Sequence, residues 1–262
     1  MKQIFLAIMF AFSTPAWAAQ TELSAADLDR MRAADVVLLG EVHDNPTHHM
    51  VQANAVAALD PTALVIEMLS AKEAHDLQAD KAGFAARWEA ASWPDYAMYL
   101  PIFTAHDGPI LGAGVSREVA RATYADGVSA HFTGDAAAYG LDQPLPADQH
   151  AARLDLQYAA HCEAMPREAL GGMIEVQRLR DATLAAKVIE ALDSHGGPVV
   201  VITGNGHARK DWGVPAYLAR LRPSLKLVAV GQAEAGVLPE GGFDIYLDAP
   251  AVDRPDPCAA FE

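Results

Sequence analysis

Val36-Val37-Leu38-Leu39-Gly40-Glu41-Val42-His43-Asp44-Asn45-Pro46 is the stretch whose reading decides the fold. Its first four residues are all apolar and the run stops at a glycine. A strand with one wet face alternates, whereas a continuous apolar run of this length reads as a strand buried on both faces. Gly40 lets the chain turn off that strand, and Asn45-Pro46 supplies a helix cap followed by a proline at the first helical position. A helix through Met50 and Val56 follows. The same pattern recurs outward from this unit. Ala63-Leu64-Val65-Ile66 reads as a second buried strand ending at Glu67, and Pro109-Ile110-Leu111 as a third leading into Gly112-Ala113-Gly114. Val199-Val200-Val201-Ile202 is a fourth, ending at Thr203-Gly204, with two more over 225–230 and 243–247. Upstream, Ser24 with Asp27 three residues on opens a first short helix.

Strands alternating with helices specify an α/β fold, a mostly parallel sheet flanked by helices. The rhythm thins between about 84 and 190, where only the strand near 109–113 interrupts helical patterns and 167–192 reads as one long helix. Part of this insertion is expected to be a smaller helical subdomain laid over the sheet. Residues 251–262, with Pro255 and Pro257, read as an irregular tail, which leaves 19–250 as the α/β domain.

Residues 1–18 read as a secretory signal peptide. Lys2 gives the positive start, Ile4 to Phe12 a short apolar region, and Ala16-Trp17-Ala18 a small-x-small cleavage site. The apolar run is about half of a membrane span, so removal in a bacterial periplasm is the expectation. The chain has 262 residues, 52% of them hydrophobic, enough for a sizeable core, and a formal net charge of −15. That charge excludes a nucleic-acid binder, because such a surface releases no counterions from a phosphate backbone. The chain's two cysteines, Cys162 and Cys258, could pair in an oxidising compartment and pin the tail; their spacing alone leaves the pairing open.

Ligands of a parallel sheet collect outside the carboxyl ends of its strands. Three strands deliver acids and histidines there: Gly40-Glu41-Val42-His43, then Glu67, then Gly204-Asn205-Gly206-His207. The repeated Gly-x-x-His form on separate strands makes a convergent cluster of Glu41, His43, Glu67 and His207 the most specific signal in the chain. Such a set suits a divalent metal such as Mn or Zn, with Glu41, His43 and His207 as its ligands and a bound water as nucleophile. Without metal, Glu41 or Glu67 could act as general base. Arg180 shares a helix face with Gln177 and could clamp an anionic group or pair with Glu41 or Glu67. His48 and His49 fall in the first turns of a helix, where only one is expected to face the strand ends and solvation is the ordinary outcome. Asp44 is placed to support the start of that helix. Trp88, Trp93, Tyr96 and Tyr99 form an aromatic segment that reads as packing. His161 and Met165 share a helix face; histidine, methionine and tyrosine all ligate haem iron. No Cys-x-x-Cys-His exists, so covalent c-type haem attachment is excluded.

At these residues the chain resembles a known family. Val37 to His49, Ile66-Glu67-Met68-Leu69, His161-Cys162 through Met165, Gln177 through Ala182, and Gly204-Asn205-Gly206-His207-Ala208-Arg209 running into Gly213-Val214-Pro215 are similar to the ChaN-like haem-binding uptake proteins. These belong to the wider Tiki/TraB and erythromycin-esterase-like superfamily. The resemblance implies export, haem as ligand, a part in haem or iron uptake, and haem-transport components as onward partners. It implies a tyrosine on the haem iron, to be sought among Tyr96, Tyr99, Tyr139 and Tyr158; Tyr96, Tyr158 and His161 are the cofactor-binding positions selected. Superfamily relatives that cleave peptides or esters imply the alternative, a metal-dependent hydrolase using Glu41, His43, Glu67 and His207 with Arg180. Many ChaN proteins are lipoproteins. This chain departs from them in having no cysteine near the cleavage point.

Overall fold

In the computed structural model, residues 20–91 and 93–261 are described; the signal-peptide reading lies outside them. The elements run α1 (Ala25–Arg32), β1 (Val36–Glu41), α2 (Pro46–Leu59), β2 (Ala63–Ile66), α3 (Ala71–Ala79), α4 (Ala85–Glu89), α5 (Tyr96–Thr104) and β3 (Ile110–Gly112). Then follow α6 (Arg117–Asp126), α7 (Ala147–Ala160), α8 (Gly171–His195), β4 (Val199–Gly204), α9 (Asn205–Ala208), α10 (Val214–Leu221), β5 (Leu227–Glu234) and β6 (Ile245–Ala249). The six strands form one sheet in the order β3-β2-β4-β1-β5-β6, and every pairing is parallel. No helix among the described residues is long and apolar enough to cross a membrane.

Burial follows the expected pattern. Every residue of β1, β2 and β4 is buried, whereas the edge strand β6 alternates. The two faces of the central strands feed separate cores. Val37, Leu39, Leu64, Ile66, Val200 and Ile202 pack under α1 to α5. Val36, Leu38, Ala63, Val65, Val199 and Val201 pack under α8 and α10. Local chemistry fixes the helix starts: Ser24 with Asp27 and Ser70 with Glu73 form capping boxes, and the Asn45 side chain accepts from the Thr47 amide ahead of Pro46.

The stretch from 84 to 190 does not form one layer over the sheet. Helices α4 and α5 cover one face, and α8 covers the other with Leu179, Ala182, Ala185 and Val188. Helix α7 packs on α8 and reaches over the strand ends, where Arg153, Leu156, Gln157 and Ala160 line a cavity. The irregular tail is tied down at two points. Cys162, just beyond α7, is bonded to Cys258 with a Cα–Cα distance of 5.4 Å. Arg254 bridges Asp44 (2.6 Å from Nε) and Glu234 (2.7 Å from Nη1). Asp44 is therefore a partner of the tail and not simply a charge at a helix start.

The strand order creates a crevice. The chain leaves β1 and β2 for helices on one face, while β4, lying between them, leaves for α9 and α10 on the other. Connections that diverge to opposite faces open a gap at the carboxyl ends of the strands.

Candidate functional site

Parallel register sets Glu41 abreast of Gly204, and the Glu67 amide bonds the Ile202 carbonyl at 3.1 Å. Glu41, His43, Glu67 and His207 consequently line one cavity of about 590 Å³, together with Asp181 and Arg180. A second cavity of about 630 Å³ shares Glu67, Trp93 and Arg180 with the first. The two adjoin and make one groove over the strand ends.

The four residues divide into two assemblies. In the first, the Glu41 carboxylate is buried and accepts from the Tyr99 hydroxyl (2.6 Å), His43 Nδ1 (2.7 Å) and the Gln52 amide (2.7 Å). Gly40 admits this turn because a Cβ there would meet Asn205 Oδ1 at 2.4 Å and the Val230 carbonyl at 2.9 Å. Burial disfavours the charged form of His43, but its bond to Glu41 and the charges of Glu67 and Glu41 outweigh this and raise its pKa. Burial beside Glu41 pushes the Tyr99 phenol far up, so it remains a donor.

In the second assembly, Glu67 Oε2 accepts from the Thr203 hydroxyl (2.7 Å) and the Gly204 amide (2.8 Å). His207 stands between two acids, with Nδ1 2.6 Å from Asp181 Oδ1 and Nε2 3.4 Å from Glu67 Oε1. Burial alone would push Glu67 up; His207, His43 and the two donors overcome it and bring the pKa to about 2. Burial would lower His207, but Glu67 and Asp181 raise it to about 9. Asp181 itself is pushed up by burial, which outweighs the attraction of His207. At neutral pH the set holds an imidazolium between acids. It can lend a proton or hold a charge, and its acids are already occupied.

As the side chains stand, the set is an ion-pair network and gives the metal reading no support. No group of three or more His, Cys, Asp or Glu able to hold a metal ion exists among the described residues. His43 Nδ1 is taken by Glu41, and His207 spends its nitrogens on Asp181 and Glu67. Glu41 is filled by its three donors and Glu67 Oε2 by two, while Glu67 Oε1 faces only His207 and His43 Nε2 has no hydrogen-bond partner among the described residues.

His48 and His49 are also corrected: both are 1% exposed rather than solvated. His48 accepts from the Val42 amide (3.0 Å) at Nδ1 and donates from Nε2 to the Ala233 carbonyl (3.1 Å). His49 Nε2 donates to the His43 carbonyl at 2.8 Å. They clamp the first turn from the helix that follows it. Arg180 lines both cavities and pairs with neither Glu41 nor Glu67. Trp93 is a wall of both cavities and meets the His43 ring edge-on at 5.2 Å, which is more than the packing role expected of it.

The cofactor positions do not gather with this cluster. Tyr96 is buried among Phe84, Trp88 and Phe103, its hydroxyl donating to the Lys81 carbonyl. Burial raises its pKa to about 12. Tyr158 carries the Arg167 guanidinium over its ring at 4.3 Å, and His161 Nδ1 donates to the Gln157 carbonyl at 2.7 Å. Neither is among the residues lining the two cavities. Sequence reasoning singled out Tyr99 only as an aromatic and a possible haem ligand, and missed Gln52, Thr203 and Arg153 as partners of the site. Only Gln52 left a trace, standing four residues after His48 on the same helical face.

Solved structures with similar folds include one described as cofacial haem binding to ChaN of Campylobacter jejuni. It has a TM-score of 0.61 and 21% identity, covering 82% of this chain and 88% of that one. The type III effector HopBA1 has a TM-score of 0.47 and 13% identity, covering 91% and 99%. An erythromycin esterase mutant in its open conformation has a TM-score of 0.47 and 11% identity, covering 82% and 74%. No curated protein sequence matches the chain. Residues 28–218 match the family described as haem-binding uptake, Tiki superfamily, ChaN, and the chain belongs to that family.

Proposed function

We propose that this chain is an exported haem-binding protein of haem or iron uptake, holding the macrocycle in the groove over the strand ends. The observation that carries this reading is the pair of adjoining cavities, about 590 and 630 Å³, with Glu67, Trp93 and Arg180 common to both. Their volumes suit a cofactor-sized ligand, and Met68, Ala113, Leu156 and Ile174 supply apolar wall. Among the residues lining the groove, His43 offers an imidazole whose side chain is 32% exposed, with Glu41 fixing Nδ1 and leaving Nε2 as the donor toward iron. Haem, when bound, supplies the iron; the chain supplies the walls, an oriented imidazole and exclusion of water.

Export is proposed with it: residues 1–18 are removed, and the Cys162–Cys258 bond supports an oxidising compartment. Sequencing the N-terminus of protein recovered from a periplasmic extract should find a start just after Ala18. Haem titrated into the mature protein should give a saturable Soret shift at micromolar concentration, lost in His43→Ala and kept in Tyr158→Phe. Absence of any saturable shift sinks the haem reading, and the reverse mutant pattern moves the ligand to the tyrosine.

The Asp181–His207–Glu67 arrangement favours one second reading, hydrolysis by acid–base chemistry at His207. Turnover of an ester or peptide panel, abolished in His207→Ala and unaffected by chelator, would support it. No turnover in a haem-binding preparation would leave the network a scaffold.

A further inference from the structure

The acids of the groove have partners and its arginines do not. Arg153, on α7, is 6% exposed; its Nη2 reaches the Trp212 carbonyl at 3.3 Å and the Gln149 amide oxygen at 3.5 Å, while Nε has no partner. Arg180, on α8, forms no ion pair among the described residues. Several arginines elsewhere pair with acids: Arg30 with Asp244, Arg209 with Asp211, Arg222 with Asp193 and Arg254 with Asp44. The formal net charge is −15, so carboxylates are not scarce. Arg153 and Arg180 make no direct ion pair, sit on two packed helices and line a single cavity, in which Asp181 acts on Arg153 only at a distance. A buried guanidinium such as that of Arg153, with no direct ion pair, is costly, and a ligand anion would remove the cost. Guanidinium also matches the planar carboxylate with two parallel bonds, which an ammonium cannot.

We infer that Arg153 and Arg180 form an anion subsite that takes the carboxylate edge of a flat, apolar ligand in the groove. On the haem reading, on which this rests, that edge carries the propionates. Gln157 and Gln177 stand in the same lining as further polar contacts, and Leu156, Ala160 and Ile174 are left for the apolar body.

The test compares haem with haem dimethyl ester, whose propionates are masked, against wild type, Arg180→Gln and Arg153→Lys. Circular dichroism and thermal melting check that each variant folds. Haem should bind wild type about tenfold or more tighter than the ester, as expected for a charge-assisted pair. Arg180→Gln should erase most of that preference by weakening haem more than ester, and Arg153→Lys should reduce it. Equal affinity of haem and ester for wild type, or a variant that weakens both equally, overturns the subsite and leaves haem binding standing. Failure of both porphyrins to bind overturns the haem reading and the subsite with it.

Discussion

The two Gly-x-x-His turns are written alike and built differently. At Gly40-Glu41-Val42-His43 the histidine turns back to the acid two residues before it, 2.7 Å away, and the next helix closes the turn through His48, His49 and Gln52. At Gly204-Asn205-Gly206-His207 the histidine reaches Asp181 on α8 and Glu67 after β2, which are distant in sequence. The residue after each glycine differs in kind. Glu41 brings a charge that its neighbours must satisfy. Asn205 bonds both backbone groups of Gln232, receiving its amide at 3.0 Å and donating to its carbonyl at 2.8 Å. The first turn is a local lock that presents one imidazole. The second is a long-range joint among a helix and two strands. One short motif specifies a sharp exit from a strand; what the exit becomes depends on what packs beside it.

That contrast can be broken by mutation. Asp181→Ala should have the largest effect, a loss of about 3–5 kcal/mol in urea unfolding, because it leaves His207 buried with one partner gone. A loss no greater than that of Asp193→Ala, at the exposed pair with Arg222, would reduce the joint to a surface contact. Tyr99→Phe removes a donor from buried Glu41 and should cost about 1.5–3 kcal/mol by the same measurement. It should leave the His207 titration unmoved, since it touches only the first turn. Asn205→Ala should cost about 1–2 kcal/mol by orphaning the Gln232 backbone groups.

The gentlest probe is pH. His207, raised to about 9 from an ordinary 6.5, adds stability that is complete below pH 6.5 and lost as pH rises through about 9. Glu67, lowered to about 2 from 4.5, adds stability present above pH 4.5 and lost as pH falls through about 2. Stability from Glu67 and His207 alone should therefore be flat between pH 4.5 and 6.5 and decline on both sides, while the raised Asp181 takes stability away as pH climbs above its ordinary value. An NMR titration should place the His207 ring near 9, and Asp181→Asn should bring it down. A wild-type value at or below 6.5 would mean that the acids do not hold the proton.

Much of the architecture was legible because it rests on short-range rules. Continuous apolar runs marked the central strands, and glycines marked their exits at Gly40 and Gly204. Capping residues Ser24 and Asn45 placed helix starts to the residue. The convergence of Glu41, His43, Glu67 and His207 on one edge followed from parallel strands all ending there. The partners were less legible. Asp181 lies in mid-helix and stood out only within the stretch from Gln177 through Ala182, while Tyr99 lies in a segment that read as aromatic packing. Their roles come from side-chain directions across two layers, which no periodicity encodes. The metal reading gained no support for the same reason: residue types suited a metal, but hydroxyl, amide and imidazole donors engage these carboxylates.

The sequence by itself determined the strands, their carboxyl-end turns and the family, since these depend on local pattern and on motifs kept in order along the chain. Only the tertiary structure decided which histidine is bound to which acid, and that His48 and His49 are buried clamps. It also decided that Cys162 meets Cys258, and that Arg153 and Arg180 face one groove without a direct ion pair. Hydrogen bonds and ion pairs are set by distances of a few tenths of an ångström, and those distances exist only once both sheet faces are packed.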